Sequence, residues 1–200
     1  KDEDEISRIF SASTHDTLLI FTDRGRVFKF KVFEIPQGSR QAKGQAIINL
    51  INIDTSEKIQ SVINIPKNKT EVGYLLMVTR QGTIKKTPLK QFSNIRSNGI
   101  IALKLDADDQ LVWVKQTSGN NQILLISHNG KAIQFKETDS RPMGRAARGI
   151  RGIRLSSEDY VVGMAVCQVD RKKKKGKRKF FQDVFVITEK GIGKRTPITD

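Results

Sequence analysis

Runs of four apolar residues recur along this chain, each followed by Ser or Thr, two further residues and a glycine. The copies are Leu18–Thr22 with Gly25, Leu75–Thr79 with Gly82, Ile123–Ser127 with Gly130, and Val184–Thr188 with Gly191. The glycines lie 57, 48 and 61 residues apart, so the chain repeats a unit of roughly 50 residues. Four apolar residues bounded by turn signals predict a strand buried on both faces. The pairs Arg24-Gly25, Gln81-Gly82, Asn129-Gly130 and Lys190-Gly191 predict a two-residue hairpin loop with positive φ at the glycine. Short half-polar stretches follow and predict a more exposed return strand: Arg26–Phe30, Thr83–Lys86, Lys131–Phe135 and Ile192–Arg195.

A second motif recurs 17 to 19 residues beyond the first three hairpin glycines, at Ser39–Gly44, Asn94–Gly99 and Gly144–Gly149. An apolar strand is expected after it, as at Ile47–Leu50 and Ile100–Leu103, and a closing strand at Ile59–Ile65, Leu111–Val114 and Tyr160–Val166. About four strands per repeat is the strand count of a propeller blade. No stretch carries a sustained 3.6-residue apolar period, so little helix is expected. The sequence therefore predicts one all-β domain over residues 1–200, a propeller-like β-pinwheel with repeats near 6–65, 66–117, 118–168 and 180–200.

Charge adds the partner. Thirty-six basic against 21 acidic residues leave +15, a field that attracts a polyanion. A membrane surface is disfavoured because no amphipathic helix accompanies the charge, and no apolar stretch is long enough to span a bilayer. The charged start Lys1–Glu5 is not a signal peptide, and Cys167 alone makes no intrachain disulfide, which together point to a reducing, cytoplasmic setting. Cys167 reads as a small buried hydrophobe. Residues 171–179 hold eight bases in nine and read as an inserted phosphate-binding loop between two strands, with a merely solvated loop as the alternative.

No catalytic constellation, metal site or cofactor motif is found. His15 and His128 stand in separate repeats without cysteine partners, and Asp106, Asp108 and Asp109 lack calcium-loop spacing. Phe28, Phe30, Phe135 and Trp113 read as core aromatics rather than base-stacking platforms. No small-molecule substrate is indicated.

The stretches Ser13–Asp16, Phe21–Phe28, Glu34–Pro36 and Ser39–Gly44 together resemble the C-terminal domain of the DNA gyrase A subunit, and Gly144–Gly152 and Gly191–Pro197 resemble its later blades. The resemblance runs through essentially the whole chain in order. It implies a six-bladed β-pinwheel whose neighbours exchange a hairpin strand and whose basic rim wraps duplex DNA. The chain would hold about four of those blades, starting within the first and stopping inside a later one at Asp200. Its implied partners are double-stranded DNA, the gyrase B subunit, and the remainder of the gyrase A subunit, with the DNA-cleaving tyrosine and the ATPase elsewhere in that assembly. The family's signature box, consensus QRRGGRG, does not occur in these residues; Gly38–Gly44 is a degenerate echo. The A-type subunit of topoisomerase IV, which tethers or bends DNA, is one alternative, and a protein-interaction propeller is another.

DNA wrapping needs phosphate contacts at repeated intervals, since bending a short site by roughly 40–90° costs on the order of 1–6 kcal/mol. The hairpins offer Arg24, Arg26, Lys29, Lys31, Arg80, Lys85, Lys86, Lys90, Lys131, Lys194 and Arg195. Among these, Lys29, Lys86 and Arg195 recur at the fourth position past the glycine, with Gln134 the exception. The second motif and its flanks offer Arg40, Lys43, Arg96, Arg141, Arg145, Arg148, Arg151 and Arg154, and the basic run offers Lys172, Lys173 and Lys174. Such groups contact phosphates rather than read bases, so weakly specific and salt-sensitive binding is expected.

Overall fold

The computed structural model of the chain describes residues 9–39, 41–69, 72–168 and 183–197. Among these residues there is no α-helix, and so none long and apolar enough to cross a membrane; thirteen strands and five short 3₁₀ turns make up the regular structure. The strands are β1 (Thr17–Thr22), β2 (Arg26–Lys31), β3 (Ile59–Ile65), β4 (Tyr74–Thr79), β5 (Thr83–Pro88), β6 (Ile100–Ile101) and β7 (Leu111–Thr117). They continue as β8 (Asn121–Ser127), β9 (Ala132–Lys136), β10 (Ile150–Arg151), β11 (Val161–Gln168), β12 (Asp183–Ile187) and β13 (Gly193–Pro197).

Each repeated motif forms an antiparallel hairpin: β1–β2, β4–β5, β8–β9 and β12–β13. The loop is one residue longer than the expected two. The amide of Gly130 donates to the Ser127 carbonyl and that of Ser127 to the Lys131 carbonyl, leaving three residues between the paired ends. Thr188 and Ile192 close the last hairpin in the same way. Three-residue loops need a final residue in the left-handed region, and Gly25, Gly82, Gly130 and Gly191 have φ between 74° and 88°. The hydroxyl preceding the turn has its own task. In all four hairpins it accepts the amide just past the glycine: Arg26 to Thr22, Thr83 to Thr79, Lys131 to Ser127 and Ile192 to Thr188, at 3.0–3.3 Å. That bond explains Ser or Thr at a fixed offset from glycine.

The sheets are completed between repeats. The first sheet has the order β3-β1-β2-β6 and the second β10-β5-β4-β7, so β6 and β10 each leave their own repeat to pair with the hairpin of the preceding one. The amides of Ala102 and Leu103 then donate to the Gly25 carbonyl, and those of Gly152 and Ile153 to the Gly82 carbonyl. The third sheet, β11-β8-β9, has three described strands and the fourth, β12-β13, two. One core joins the first two sheets through Leu19, Phe21, Val27, Leu75, Met77 and Leu111, and a second joins the next pair through Leu76, Val78, Ile84, Ile123 and Leu125.

Four local expectations change. Ile47–Asn49 closes as a 3₁₀ turn instead of a strand, since no sheet among the described residues offers it a partner edge. The strand expected at Ile100–Leu103 stops at Ile101, because Ala102 and Leu103 spend their amides on the Gly25 carbonyl. β12 is exposed, with Phe185 at 65%, because no further strand flanks it among the described residues. β5 is buried rather than half-exposed, because it lies between β4 and β10. Phe28 is buried, Trp113 and Phe135 pack against the second core, Phe30 against a third small cluster, and Cys167 is buried in β11.

Candidate nucleic-acid interface

The loops that deliver β6 and β10 carry the arginines of the second motif, and polar grooves open beside them. One groove of about 580 Å³ is lined by Lys29, Asn94, Arg96, Asn98 and Arg145. A second, of about 510 Å³, is lined by Gln81, Arg151, Arg154, Ser156 and Asp159. Arg145 is fixed through its backbone, where its amide donates to Gln91 Oε1 at 3.1 Å. Arg24, Lys43, Lys90, Arg96, Arg141, Arg151, Arg154 and Lys194 are exposed, and their side chains make no hydrogen bond or ion pair with another described residue. Cations in that state keep their charge available for a polyanion.

The carboxylates near these loops are occupied. Asp109 accepts the amides of Gln81 and Gln110 at 2.9 and 2.8 Å, and Asp159 accepts those of Asn129 and Tyr160 at 3.0 and 2.9 Å. Each thereby ties a hairpin turn to the strand entering from the side, and Asp106 pairs with Arg148. No group of three or more His, Cys, Asp or Glu among the described residues could hold a metal ion.

A family model described as "DNA gyrase C-terminal domain, beta-propeller" matches residues 16–66, 73–118, 121–168 and 182–200, well over half of the chain. The chain belongs to the DNA gyrase C-terminal domain family. The DNA gyrase A subunit of Staphylococcus epidermidis is 41% identical over 199 residues, covering 100% of this chain and 21% of that protein. Its counterpart from Haloquadratum walsbyi is 43% identical, covering 99% and 22%. The chain thus spans about a fifth of these curated relatives. Among solved structures, the C-terminal domain of DNA topoisomerase IV superposes with a TM-score of 0.78 at 34% identity, over 93% of this chain and 55% of that one. The DNA gyrase A C-terminal domain gives 0.72 at 26%, over 94% and 56%. The fold is therefore the all-β, propeller-like architecture of gyrase C-terminal domains.

Within this gyrase-family domain the basic residues divide into two kinds. Several tie backbone to backbone. Arg26 donates to the Asn98 carbonyl at 2.6 Å and pairs with Glu57 at 2.5 Å, Lys29 reaches the Ser93 carbonyl at 2.6 Å, and Lys131 the Arg154 carbonyl at 2.6 Å. Lys31 bonds Thr17 Oγ1, Arg195 pairs with Asp183 at 3.3 Å, and the Arg80 guanidinium lies 3.7 Å over the Tyr160 ring, whose plane also stacks on His128. Lys85 and Lys86 are a correction to the sequence reading, since both are buried, at 0% and 3% exposure, and offer DNA nothing. Consecutive residues of a strand face opposite sides, and β5 is covered on both. Lys85 donates to the carbonyls of Ala102, Arg145 and Ala147, and Lys86 to that of Glu137 at 2.8 Å.

Arg40 and Lys172, Lys173 and Lys174, with the rest of the basic run 171–179, lie outside the described residues. Sequence reasoning missed Gln91, which fixes the groove's arginine, and placed Asn94 and Asn98 in the second motif without naming them as groove residues, since neither carries a charge. It also missed Glu137, whose buried carboxylate accepts from Thr117 Oγ1, the Gly119 amide, and the amide and side chain of Asn121.

Proposed function

We propose that this chain is a duplex-binding and duplex-bending domain of the A-type component of a type II topoisomerase, contributing binding rather than turnover. The observation that carries the reading is the pair of arginine-bearing grooves beside the strands exchanged between repeats. Arg96 and Arg145 serve the first, Arg151 and Arg154 the second. Successive phosphate contacts on successive sheets supply the repeated attachment that a stiff duplex requires before it bends. In the assembled enzyme, by family, the bent segment would be presented to the B subunit, and to the remainder of the A subunit, to support ATP-dependent negative supercoiling. The superposition on a topoisomerase IV C-terminal domain favours a second reading, a surface that tethers or bends DNA without a full wrap.

The test is duplex affinity against salt. Affinity should fall steeply with added salt, and reversing Arg145, Arg148 and Arg151 together to Glu should lower the slope of log K against log salt by about 3. Unchanged affinity of that triple variant at about 0.1 M salt would remove these arginines from the interface.

A further inference from the structure

Lys85 presents an unusual arrangement for a surface-type residue. Its side chain is wholly buried, and no carboxylate among the described residues bonds to it. The ammonium instead meets three backbone carbonyls, of Ala102 at 2.7 Å, Ala147 at 3.0 Å, and Arg145. These come from two different exchanged segments. Ala102 follows β6 and has its own amide on the Gly25 carbonyl; Arg145 and Ala147 lie in the loop that leads into β10. An ammonium has three N–H donors and no acceptor, so the site matches its full complement.

The position of Arg145 follows from this. Its amide is held by Gln91 and its carbonyl by Lys85, so its backbone is pinned on both sides while its side chain lines the first basic groove. We propose that Lys85 is a positioning residue for the duplex contact, its buried ammonium clamping the Gly144–Gly149 loop so that Arg145 stays in the groove, and that loss of its proton loosens the clamp. The proposal rests on the duplex-binding reading above.

The surroundings give the clamp its pH range. Burial pushes the Lys85 amine down to about 8, and the neighbouring Arg145 guanidinium adds to the shift. The other charged groups on the elements packed around it are Arg148, paired with Asp106, and the exposed Lys104 and Arg151; its partner on β4 is the apolar Met77. A neutral amine keeps two donors for three carbonyls and turns a lone pair toward one of them. Stability moves the other way. Above about 8 the folded chain releases a proton that the unfolded chain keeps up to about 10.5, so this group's contribution to stability rises with pH over that interval. Groove order should fall while fold stability rises, an opposition that a purely structural lysine would not produce.

The experiment compares the wild-type chain with Lys85→Met and Lys85→Arg. Short-duplex affinity is read at fixed salt from about pH 7 to about pH 9, below the range of ordinary lysines. Trypsin cleavage after Arg145 and Arg148 is followed without DNA. The wild-type chain should lose about fivefold to tenfold in affinity across that range, the scale of one charged contact. Lys85→Met should start near the weakened level, show no such step and be cut faster after Arg145. Lys85→Arg, which stays charged, should keep more of the affinity and also show no step. A flat wild-type profile overturns the proposal without needing any variant, as does a Lys85→Met chain with wild-type affinity, step and cleavage; in both cases duplex binding itself survives. A wild-type chain with no duplex affinity at low salt sinks the duplex-binding reading and the proposal with it.

Discussion

The loops that precede β6 and β10 occupy equivalent places in successive repeats, yet they are held from beneath by opposite chemistries. Under the first lies Phe28, three residues past Gly25, 1% exposed and packed so tightly that a Cβ on Gly99 would sit 2.8 Å from its ring. Under the second, three residues past Gly82, lies Lys85 with its three carbonyls. The outer side differs as well. Arg26 spans the first loop, 4.8 Å over the Phe28 ring and bonded to Asn98, whereas its counterpart in the second hairpin is Thr83. One exchange plan thus tolerates either an apolar or an ionic underlay. The apolar contact is indifferent to pH and salt, while the ionic one fixes a basic loop at the expense of burying a charge.

The comparison can be broken at its strongest point first. Phe28→Ala should cost about 3–5 kcal/mol in denaturant unfolding, the usual penalty for emptying a buried aromatic site. Lys85→Met should cost under about 2 kcal/mol near neutral pH, since relief of the buried charge offsets the orphaned carbonyls. Equal losses in the two variants would mean that the underlays do the same job. Next come the glycines above them. A Cβ on Gly149 would lie 2.5 Å from the Ile84 carbonyl oxygen, part of a paired strand, whereas one on Gly99 would meet a side chain, the Phe28 ring, at 2.8 Å. Gly149→Ala should therefore lower the melting temperature more than Gly99→Ala, with a cost of about 2 kcal/mol or more. Removing the outer guanidinium is milder: Arg26→Ala should cost about 1 kcal/mol and speed amide exchange in residues 94–99, leaving 144–149 untouched.

The smallest effect lies at acid pH. Hydrogen bonds from the Ser13 amide, the Asn64 side chain and the Lys67 amide hold Asp16 below the ordinary carboxylate value. Its stabilisation is present above about 3.8 and disappears as pH falls through the lower folded value. Asp16→Asn should flatten the acid limb of a stability-against-pH curve slightly, with the alkaline limb unchanged.

These contrasts show which features can be read from a chain. The hairpins were legible because their determinants are local: an apolar run, a hydroxyl that accepts the amide four residues on, and a glycine with positive φ. The core aromatics were legible from alternation. The basic residues were legible as a total, but their division was not. Thr83–Lys86 reads as a more exposed return strand, and what covers Lys85 and Lys86 comes from the next repeat, the loop through Arg145 and Ala147 over the first and Glu137 over the second. Long-range cover of that kind leaves no mark within the strand it covers. Ile47–Asn49 failed in the converse way, since an apolar triplet becomes a strand only where a partner edge exists. The fourth-position bases likewise read as a phosphate row, whereas Lys29 and Lys86 spend their ammonium groups on carbonyls.

Chiral bending of duplex DNA by the basic grooves is tested most directly by linking number. Relaxed closed circular DNA is incubated with increasing amounts of the chain, treated with a type I topoisomerase and resolved after deproteinisation. The account predicts a linking-number shift of one sign that grows with protein, positive for gyrase-like wrapping, and that is lost when Arg145, Arg148 and Arg151 are reversed together. Saturated binding with no shift would contradict it, leaving a surface that tethers DNA without bending it in a defined hand.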